Sequence, residues 1–422
     1  MRGARGARAA CCALLLFGGW ARADEGGEFG PGVRYRDKAA DFEIALDGYA
    51  QIDYTDFLNW SSRDPDQPLE SPDWNPTRLR VGVDGKWKRL SWQFQGDFGD
   101  LANFREDTDV QRLRDAWLNF RFSKSLEVQA GHFKLPVGLE WLTSARRLDF
   151  VLRSLPARNL APDRDWGVEV HGEIAKRLQY MAGVFAGDEF RSFRRTGTTG
   201  AGRLVLRAAA GLELGGSLAQ GDVKAQAEAP GVATRPLGQQ GEASSGFGFF
   251  HRKYVEGSRR WIGGDVAFLR GPVGIKGEYL EQREERRGQG ANFEDLPAVK
   301  GRGWAASATW LVTGEKKRRS VKPERPLFHG PGAVELGVRY DEIRFDDVGP
   351  DEGFAGVGNR SRNIQPATER CWTGGVSWWP RALLRVEGNL VHEWFEDSLL
   401  APEPGRQGNY LTVLVRFQIE LP

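Results

Sequence analysis

The sequence predicts an all-β protein, a transmembrane outer-membrane β-barrel of about 16 antiparallel strands. Three observations lead to this fold class: an N-terminal leader, segments of about 10 residues in which polar and apolar residues alternate, and short turns that alternate with long polar loops. A face toward lipid and a face toward a wet lumen would produce that alternation. No long apolar run follows the leader and mean hydropathy is −0.50, so a helical membrane protein is excluded.

Residues 1–23 have the composition of a secretory signal peptide, with arginines before an apolar run and Ala-Arg-Ala at 21–23 as the cleavage site. Cleavage would remove two of the three cysteines and leave Cys371 without a partner for an internal disulfide. It would also remove four arginines, so the formal net charge would change from +2 (59 basic against 57 acidic) to −2 (55 against 57). No general basic excess remains to indicate a nucleic-acid partner.

After a short N-terminal segment at 24–40, the predicted barrel occupies 41–422. In "NYLTVLVRFQIELP" at the C-terminus, Leu411, Val413 and Phe417 alternate with Thr412 and Arg416. The predicted strands are 41–57, 78–89, 90–99, 112–124, 126–136, 164–177, 178–190, 201–210, 211–221, 259–270, 272–285, 301–315, 332–345, 367–381, 382–395 and 408–421. A soluble β-repeat protein would need a fixed repeat period, and the sequence has none.

The connections indicate which end of the barrel faces outward. Short turns, such as Gly271-Pro272, are expected in the periplasm, and long polar segments outside the cell. The long segments are 58–77, 137–163, 222–258, 286–300 and 346–366. One connection, 316–331, is long although parity places it on the periplasmic side.

Tryptophans close to strand ends are interpreted as interfacial girdle residues, with stacking of oligosaccharides as the alternative. They include Trp87, Trp92, Trp372, Trp378, Trp379 and Trp394.

Three stretches resemble the phosphate-selective porin O and P family. The longest is "GHFKLPVGLEWLTSARRLDFVLRSLPARNLAPDRDWGVEVHG" at 131–172, and the others are "WLVTGEKKRRS…P…GAVELGVRYDEI" at 310–343 and the run from "GGVSWWPRALLRVEGNLVH" to "VRFQIEL". The resemblance implies a sixteen-stranded homotrimeric barrel in the outer membrane of a Gram-negative bacterium. It also implies outer-membrane lipid around the barrel and small anions, inorganic phosphate above all, passing through it.

The resemblance further implies that loop 137–163 folds into the barrel and narrows it, and that turn 316–331 folds back into the lumen. Guanidinium groups suit phosphate because their fork of donors meets two oxygens at once. Candidate pore-lining cations in and beside the loop are Lys134, Arg146, Arg147, Arg153, Arg158 and Arg164. Those on strands are Arg80, Arg121, Arg339, Arg385 and Arg416, and those in the turn are Lys316, Lys317, Arg318 and Arg319.

Several alternatives stay open at this point. The loop and the turn could each be solvated, with the loop arginines paired to nearby acids or to lipopolysaccharide. Acids such as Asp47, Asp53 and Glu387 share the predicted lumen, so a broader porin for polyphosphate, organic anions or sugars is the second interpretation. An outer-membrane barrel enzyme or adhesin is a remote third. The histidines have no nucleophile motif or metal-ligand spacing beside them, so we expect no enzyme activity and no cofactor.

Overall fold

A computed structural model describes residues 27–30, 33–60, 72–99, 113–187, 197–224, 226–229, 232–234, 238–290, 292–318, 320–347, 364, 366–396, 401–402 and 408–421. The predicted signal peptide at 1–23 lies outside these residues.

The predicted barrel is confirmed, with sixteen antiparallel strands in one closed ring. The first eight are β3 (Phe42–Phe57), β4 (Asp73–Trp87), β5 (Leu90–Asp97), β6 (Leu113–Ser123), β7 (Leu126–Lys134), β8 (Arg164–Ile174), β9 (Leu178–Phe185) and β10 (Thr199–Ala209). The others are β11 (Leu212–Val223), β16 (Gly257–Arg270), β17 (Val273–Arg286), β18 (Leu296–Leu311), β19 (Ala333–Asp347), β20 (Ala367–Arg381), β21 (Leu384–Glu396) and β22 (Tyr410–Glu420). Strand β22 pairs with β3, so the ring has no free edge.

Shorter strands lie outside this ring. In the N-terminal segment 24–40, β1 (Gly27–Gly30) and β2 (Arg34–Asp37) form a hairpin that pairs with the start of β3. Between β11 and β16 the chain forms two small hairpins, β12 (Gln226–Ala229) with β13 (Val232–Thr234) and β14 (Gly241–Glu242) with β15 (Gly248–Phe250).

The two-residue period separates an inward face from an outward face on each barrel strand. On β22, Arg416 and Gln418 are 2% and 4% exposed, whereas Phe417 and Ile419 are 44% and 55% exposed. A strand that is polar toward the lumen and apolar toward lipid explains this C-terminal sequence. None of the helices among the described residues is long and apolar enough to cross a membrane.

Loop lengths differ between the two ends of the barrel. Two-residue turns such as 88–89, 124–125 and 271–272 lie at one end, and long loops lie at the other. We number the long loops L1 to L8; L3 is 135–163 and L5 is 224–256. L3 contains two short helices, α1 (Leu139–Leu142) and α2 (Leu155–Asn159), with a 3-10 turn at Ala145–Arg147 between them. The connection 312–332, which we call the periplasmic turn, is long at the end of short turns.

The prediction that Trp379 belongs to the interfacial girdle was wrong. Trp87 and Trp372 face outward and are each 48% exposed, but Trp379 is 7% exposed and packs against Leu311 and Val321 on the inner side. Parity explains the difference, because Trp378 and Trp379 are adjacent on one strand and so face opposite sides.

Candidate functional site in the barrel lumen

L3 is bound along one side of the lumen by three strand arginines, which we call the anchor arginines. Each donates a hydrogen bond to a backbone carbonyl oxygen of L3. The bonds are Arg385 Nη1 to Leu148 O at 2.6 Å, Arg416 Nη1 to Val151 O at 2.7 Å and Arg339 Nη1 to Leu152 O at 2.9 Å. L3 therefore crosses from β7 and β8 to the wall formed by β19, β21 and β22.

A carboxylate on the barrel wall also pairs with each anchor arginine. The shortest N to O distances are 2.6 Å for Arg416 and Asp53, 2.9 Å for Arg339 and Asp341 and 3.0 Å for Arg385 and Glu387. Pairing and carbonyl contacts offset much of the cost of burying these charges. Arg385 Nε, both Glu387 carboxylate oxygens and one Asp341 oxygen form no hydrogen bond with a described residue. The three arginines were predicted to line the pore, but the structure places them between the wall and L3.

A glycine pocket receives the ring of Phe150 at the centre of L3. Gly337 on β19 and Gly375 on β20 are directly opposite in register and both face inward. A Cβ atom at either position would lie 3.1 Å from the Phe150 ring, so these two glycines create the space that it fills. Phe150 itself is 1% exposed.

Asp149, next to Phe150, lies in a cluster of charged groups that we call the lysine–carboxylate cluster: Asp149, Lys276, Lys317 and Glu335. Lys276 Nζ lies 2.6 Å from one Asp149 oxygen and Lys317 Nζ lies 2.8 Å from the other. Lys317 also contacts Glu335 at 2.5 Å. Burial alone would raise the pKa of the Asp149 carboxyl, but the two lysines outweigh it and hold that pKa well below 3.8. The cluster connects L3 to the periplasmic turn.

The remaining cations of the periplasmic turn have different surroundings. Lys316 and Arg318 are exposed, whereas Lys317 between them is buried in the cluster. Arg319 lies outside the described residues. The sequence analysis grouped the four cations together; of the three that are described, only Lys317 contacts L3.

L5 also enters the lumen, which the sequence analysis did not predict. Ser244 donates from its backbone N–H and its hydroxyl to Glu393 on β21, the former at 2.7 Å. Arg158 of α2 donates to the carbonyl oxygen of Ala243 at 2.8 Å. Asn159, next in sequence, exchanges two further bonds with the L5 backbone. L3 and L5 therefore support each other.

An aromatic cluster completes the packing of L5 against the wall. Phe250 stacks on Phe345 of β19 with ring centroids 4.3 Å apart, and Phe247 and Phe249 both contact Phe395 of β21. The signal in the sequence was the apolar run "FGFF" at 247–250, which is unusual in a solvated loop.

On the opposite side of L3 lies a cavity of about 320 Å³, bounded by strands β4 to β9. Its polar lining includes four of the predicted pore cations together with two acids and several glutamines. Lining residues are Arg80, Gln93, Gln95, Asp115, Trp117, Gln129, Phe133, Lys134, Pro136, Leu142, Ser144, Arg146, Arg164, Glu169 and Met181. We call Arg80, Lys134, Arg146 and Arg164 the cavity cations.

Every cavity cation contacts either a carboxylate or backbone carbonyl oxygens of L3. Lys134 donates to the carbonyl oxygens of Trp141 and Thr143 in L3. The three arginines pair with carboxylates: Arg80 with Asp97 at 2.7 Å, Arg146 with Asp47 at 2.6 Å and Arg164 with Asp115 at 3.1 Å. The carboxylate partners therefore balance most of the positive charge that borders the cavity.

The other predicted cations do not line this cavity. Arg147 pairs with Glu420 at 2.8 Å, and Arg121, whose side chain is 58% exposed, pairs with Glu127 beside a short turn. Arg153 lies 4.9 Å over the Trp141 ring, and its burial lowers its pKa to about 10. Arg158 binds L5, as described above.

Two arginines close to the cavity were absent from the predicted set. Arg78 donates to Gln51 at 2.9 Å, and its spacing of two from Arg80 could have revealed it. Arg114 lies 3.6 Å from Asp97, which it shares with Arg80. The register of β5 and β6 shifts at this point, so the two-residue period could not assign Arg114 to a face.

Solved structures of outer-membrane channels share this fold at low sequence identity. OmpT, an outer membrane protein of Vibrio cholerae, has a TM-score of 0.56 at 10% identity, covering 90% of this chain and 97% of that one. An anion-selective porin from Comamonas acidovorans has a TM-score of 0.55 at 11% identity, covering 90% and 99%. The outer membrane channel DcaP of Acinetobacter baumannii has a TM-score of 0.53 at 9% identity, covering 91% and 99%.

A comparison with curated proteins finds no match. The sequence model of the family described as "Phosphate-selective porin O and P" matches residues 44–419, almost the whole barrel. The resemblance noted in the sequence is therefore confirmed, and a closed sixteen-strand barrel with loops in its lumen is the architecture that such a channel requires. This chain belongs to the phosphate-selective porin O and P family and is an outer-membrane porin, a channel rather than an enzyme.

Proposed function

We propose that small anions, phosphate first among them, cross this porin along the β4 to β9 side of the lumen. The observation that carries the proposal is the cavity of about 320 Å³ beside L3, which four cations line against the two acids Asp115 and Glu169. Glutamine amides between them supply neutral donors for an anion that has lost part of its water shell. Across the lumen, the anchor arginines donate to the L3 backbone instead of bordering this cavity.

The pairing of the cavity cations suits transport better than tight binding. One unpaired unit charge at 4 Å contributes about 4 kcal/mol at an effective dielectric of 20, roughly the free energy of a millimolar site. Several converging unpaired arginines would hold phosphate too long for conduction. A partner on each cation keeps every step along the path weak, as conduction requires.

Planar bilayers test this proposal directly. Under a potassium chloride gradient, the reversal potential should show anion preference, and phosphate should block chloride current at millimolar concentration. Substituting Lys134→Gln should weaken that block, because it removes a lining charge without removing a carboxylate partner. Arg207→Gln is the control, since Arg207 is an arginine outside the cavity lining that pairs with Glu173. A cation-selective wild-type channel would refute the proposal.

The second candidate is a broader porin for organic anions. Trp117, Phe133 and Met181 give the cavity an apolar part, which an organic anion could contact while its charged group meets the cations. Stronger block by an aromatic carboxylate than by phosphate would favour this candidate.

We also propose that the porin is a homotrimer in the membrane. The support is family membership and one structure of OmpT from Vibrio cholerae, which is described as a trimer form and has a TM-score of 0.56. The native mass of the detergent-extracted protein should be three times that of the chain, and a monomeric mass would contradict the proposal.

A further inference from the structure

A row of aromatic side chains marks one membrane interface on the outer surface of β17 to β20. Tyr279 and Trp304 are opposite in register, as are Tyr340 and Trp372. The ring centroids of Trp304 and Tyr340 are 5.0 Å apart, and so are those of Tyr340 and Trp372. Aromatic girdles of this kind lie at the level of lipid headgroups. The row lies near the middle of β17 to β19. Outward residues on its short-turn side are apolar, such as Ile275 and Val338, and those on its long-loop side are charged, so the row marks the outer leaflet.

Immediately beyond this row, toward the long loops, most outward positions of β16 to β19 are charged. The cations are Arg260, Arg283, Lys300, Arg302 and Arg344, and the acids are Glu281, Glu285, Glu342 and Asp346. We call these nine residues the rim patch, whose formal charge is +1 (five cations against four acids). It begins two residues beyond the aromatic row, about 7 Å along each strand.

The cations of the rim patch face one another across strands. Arg260 is directly opposite Arg283, and Arg302 is directly opposite Arg344. Like charges opposite each other destabilise a sheet unless a counter-charge lies between them. Asp346 supplies one for the second pair, at 3.0 Å from Arg302 and 3.2 Å from Arg344. Arg260 and Arg283 are both exposed and form no ion pair with any described residue.

We propose that the rim patch binds a phosphate group of an outer-leaflet lipid, seated between Arg260 and Arg283. A phosphate would neutralise both guanidinium groups with paired hydrogen bonds, as Asp346 neutralises the second pair. The aromatic row below would contact the acyl chains of the same lipid. A lipid is favoured over free phosphate because the cations lie on the outer wall at headgroup level, outside the lumen.

Binding of purified lipid A tests this proposal, with native mass spectrometry of the full mature porin as the measurement. The variant Arg260→Glu with Arg283→Glu should weaken binding of bisphosphorylated lipid A by roughly tenfold or more, because two attractive charges become repulsive. Arg270→Glu is the matched control, since Arg270 is exposed at the opposite end of β16. Wild-type porin should bind dephosphorylated lipid A as weakly as the double variant binds the phosphorylated form.

Equal binding by wild type and double variant would overturn the proposal, as would equal binding of the two lipids. Displacement of the lipid by inorganic phosphate at millimolar concentration would also contradict it, since the patch would then be a site for the free ion. If the double Glu variant does not assemble, the milder Arg260→Gln with Arg283→Gln should still lower affinity for the phosphorylated lipid. Unchanged affinity in that variant would count against a phosphate contact.

Discussion

The two sides of the lumen differ in what their arginines meet. On the β19 to β22 side, Arg339, Arg385 and Arg416 each pair with a carboxylate and then donate to the L3 backbone. On the β4 to β9 side, Arg80 and Arg164 form carboxylate pairs of similar length, but they border a cavity of about 320 Å³. An arginine that donates to L3 has a structural role, whereas an arginine that borders the cavity is available to an anion.

This difference shows that arginine–carboxylate pairs have two roles in one barrel: some hold L3 against the wall, and others line the cavity. Under L3, removing the arginine would leave a buried carboxylate and an unsatisfied loop carbonyl. Asp115, the partner of Arg164, lines the cavity, so water can solvate it when the arginine is removed. We therefore expect substitutions on the β19 to β22 side, the packed side, to change assembly and the position of L3. Substitutions on the β4 to β9 side, the open side, should change ion selectivity.

The largest effect is expected from Arg416→Met. It leaves Asp53 buried without its partner and frees the carbonyl oxygen of Val151, a loss of about 3–5 kcal/mol. Unfolding of the porin by guanidinium chloride in lipid vesicles should show a lower free energy of unfolding. Single-channel records should show more current noise, because L3 is held less firmly. Arg416→Met with Asp53→Leu should recover part of the stability, because no buried charge remains unpaired. Wild-type stability in the single variant would contradict the anchoring role.

A smaller effect is expected from Asp149→Asn, which removes the carboxylate shared by Lys276 and Lys317. L3 should lose its connection to the periplasmic turn, and conductance should fluctuate more. In the wild type, the depressed pKa of Asp149 means that this contribution is complete above about pH 4 and is lost as pH falls through the lower folded value. Current noise should therefore stay constant from pH 7 to about pH 4. Noise that rises between those values would contradict this assignment.

Gly375→Leu should displace the Asn389 amide and the Phe150 ring, which lie 2.7 and 3.1 Å from a Cβ there, with an overpacking cost of about 1–3 kcal/mol. Its neighbour Gly374 provides a matched control, because a Cβ there meets nothing within 4 Å. We expect altered single-channel conductance in Gly375→Leu and wild-type conductance in Gly374→Leu. The same conductance in both variants would mean that the ring does not set the position of L3.

The smallest effect is expected from Lys316→Gln with Arg318→Gln. Both side chains are exposed, so they act on anions only through a screened potential. Anion conductance should fall at about 0.01 M salt, where the Debye length is roughly 30 Å, and should be unchanged at 1 M. An equal fall at both salt concentrations would indicate a steric effect instead.

The sequence predicted the strands far better than it predicted the lumen. A two-residue period is local, so it assigned Arg416 and Phe417 to opposite faces, and all sixteen strands lie close to their predicted positions. Which inward arginine a loop covers depends on contacts between residues far apart in the chain. Arg385 and Leu148 are 237 residues apart, and Ser244 and Glu393, which also form a hydrogen bond, are 149 residues apart. Residue type and period carry no information about such pairs.

The most direct test of the open-side path compares Arg146→Gln with Arg147→Gln in planar bilayers. The two arginines are adjacent in one 3-10 turn, and their side chains are 22% and 28% exposed. Each pairs with a strand carboxylate, but only Arg146 lines the cavity. We predict that Arg146→Gln lowers the anion preference in the reversal potential and weakens phosphate block, while Arg147→Gln behaves as wild type. Equal changes in both variants, or a change in Arg147→Gln alone, would contradict it.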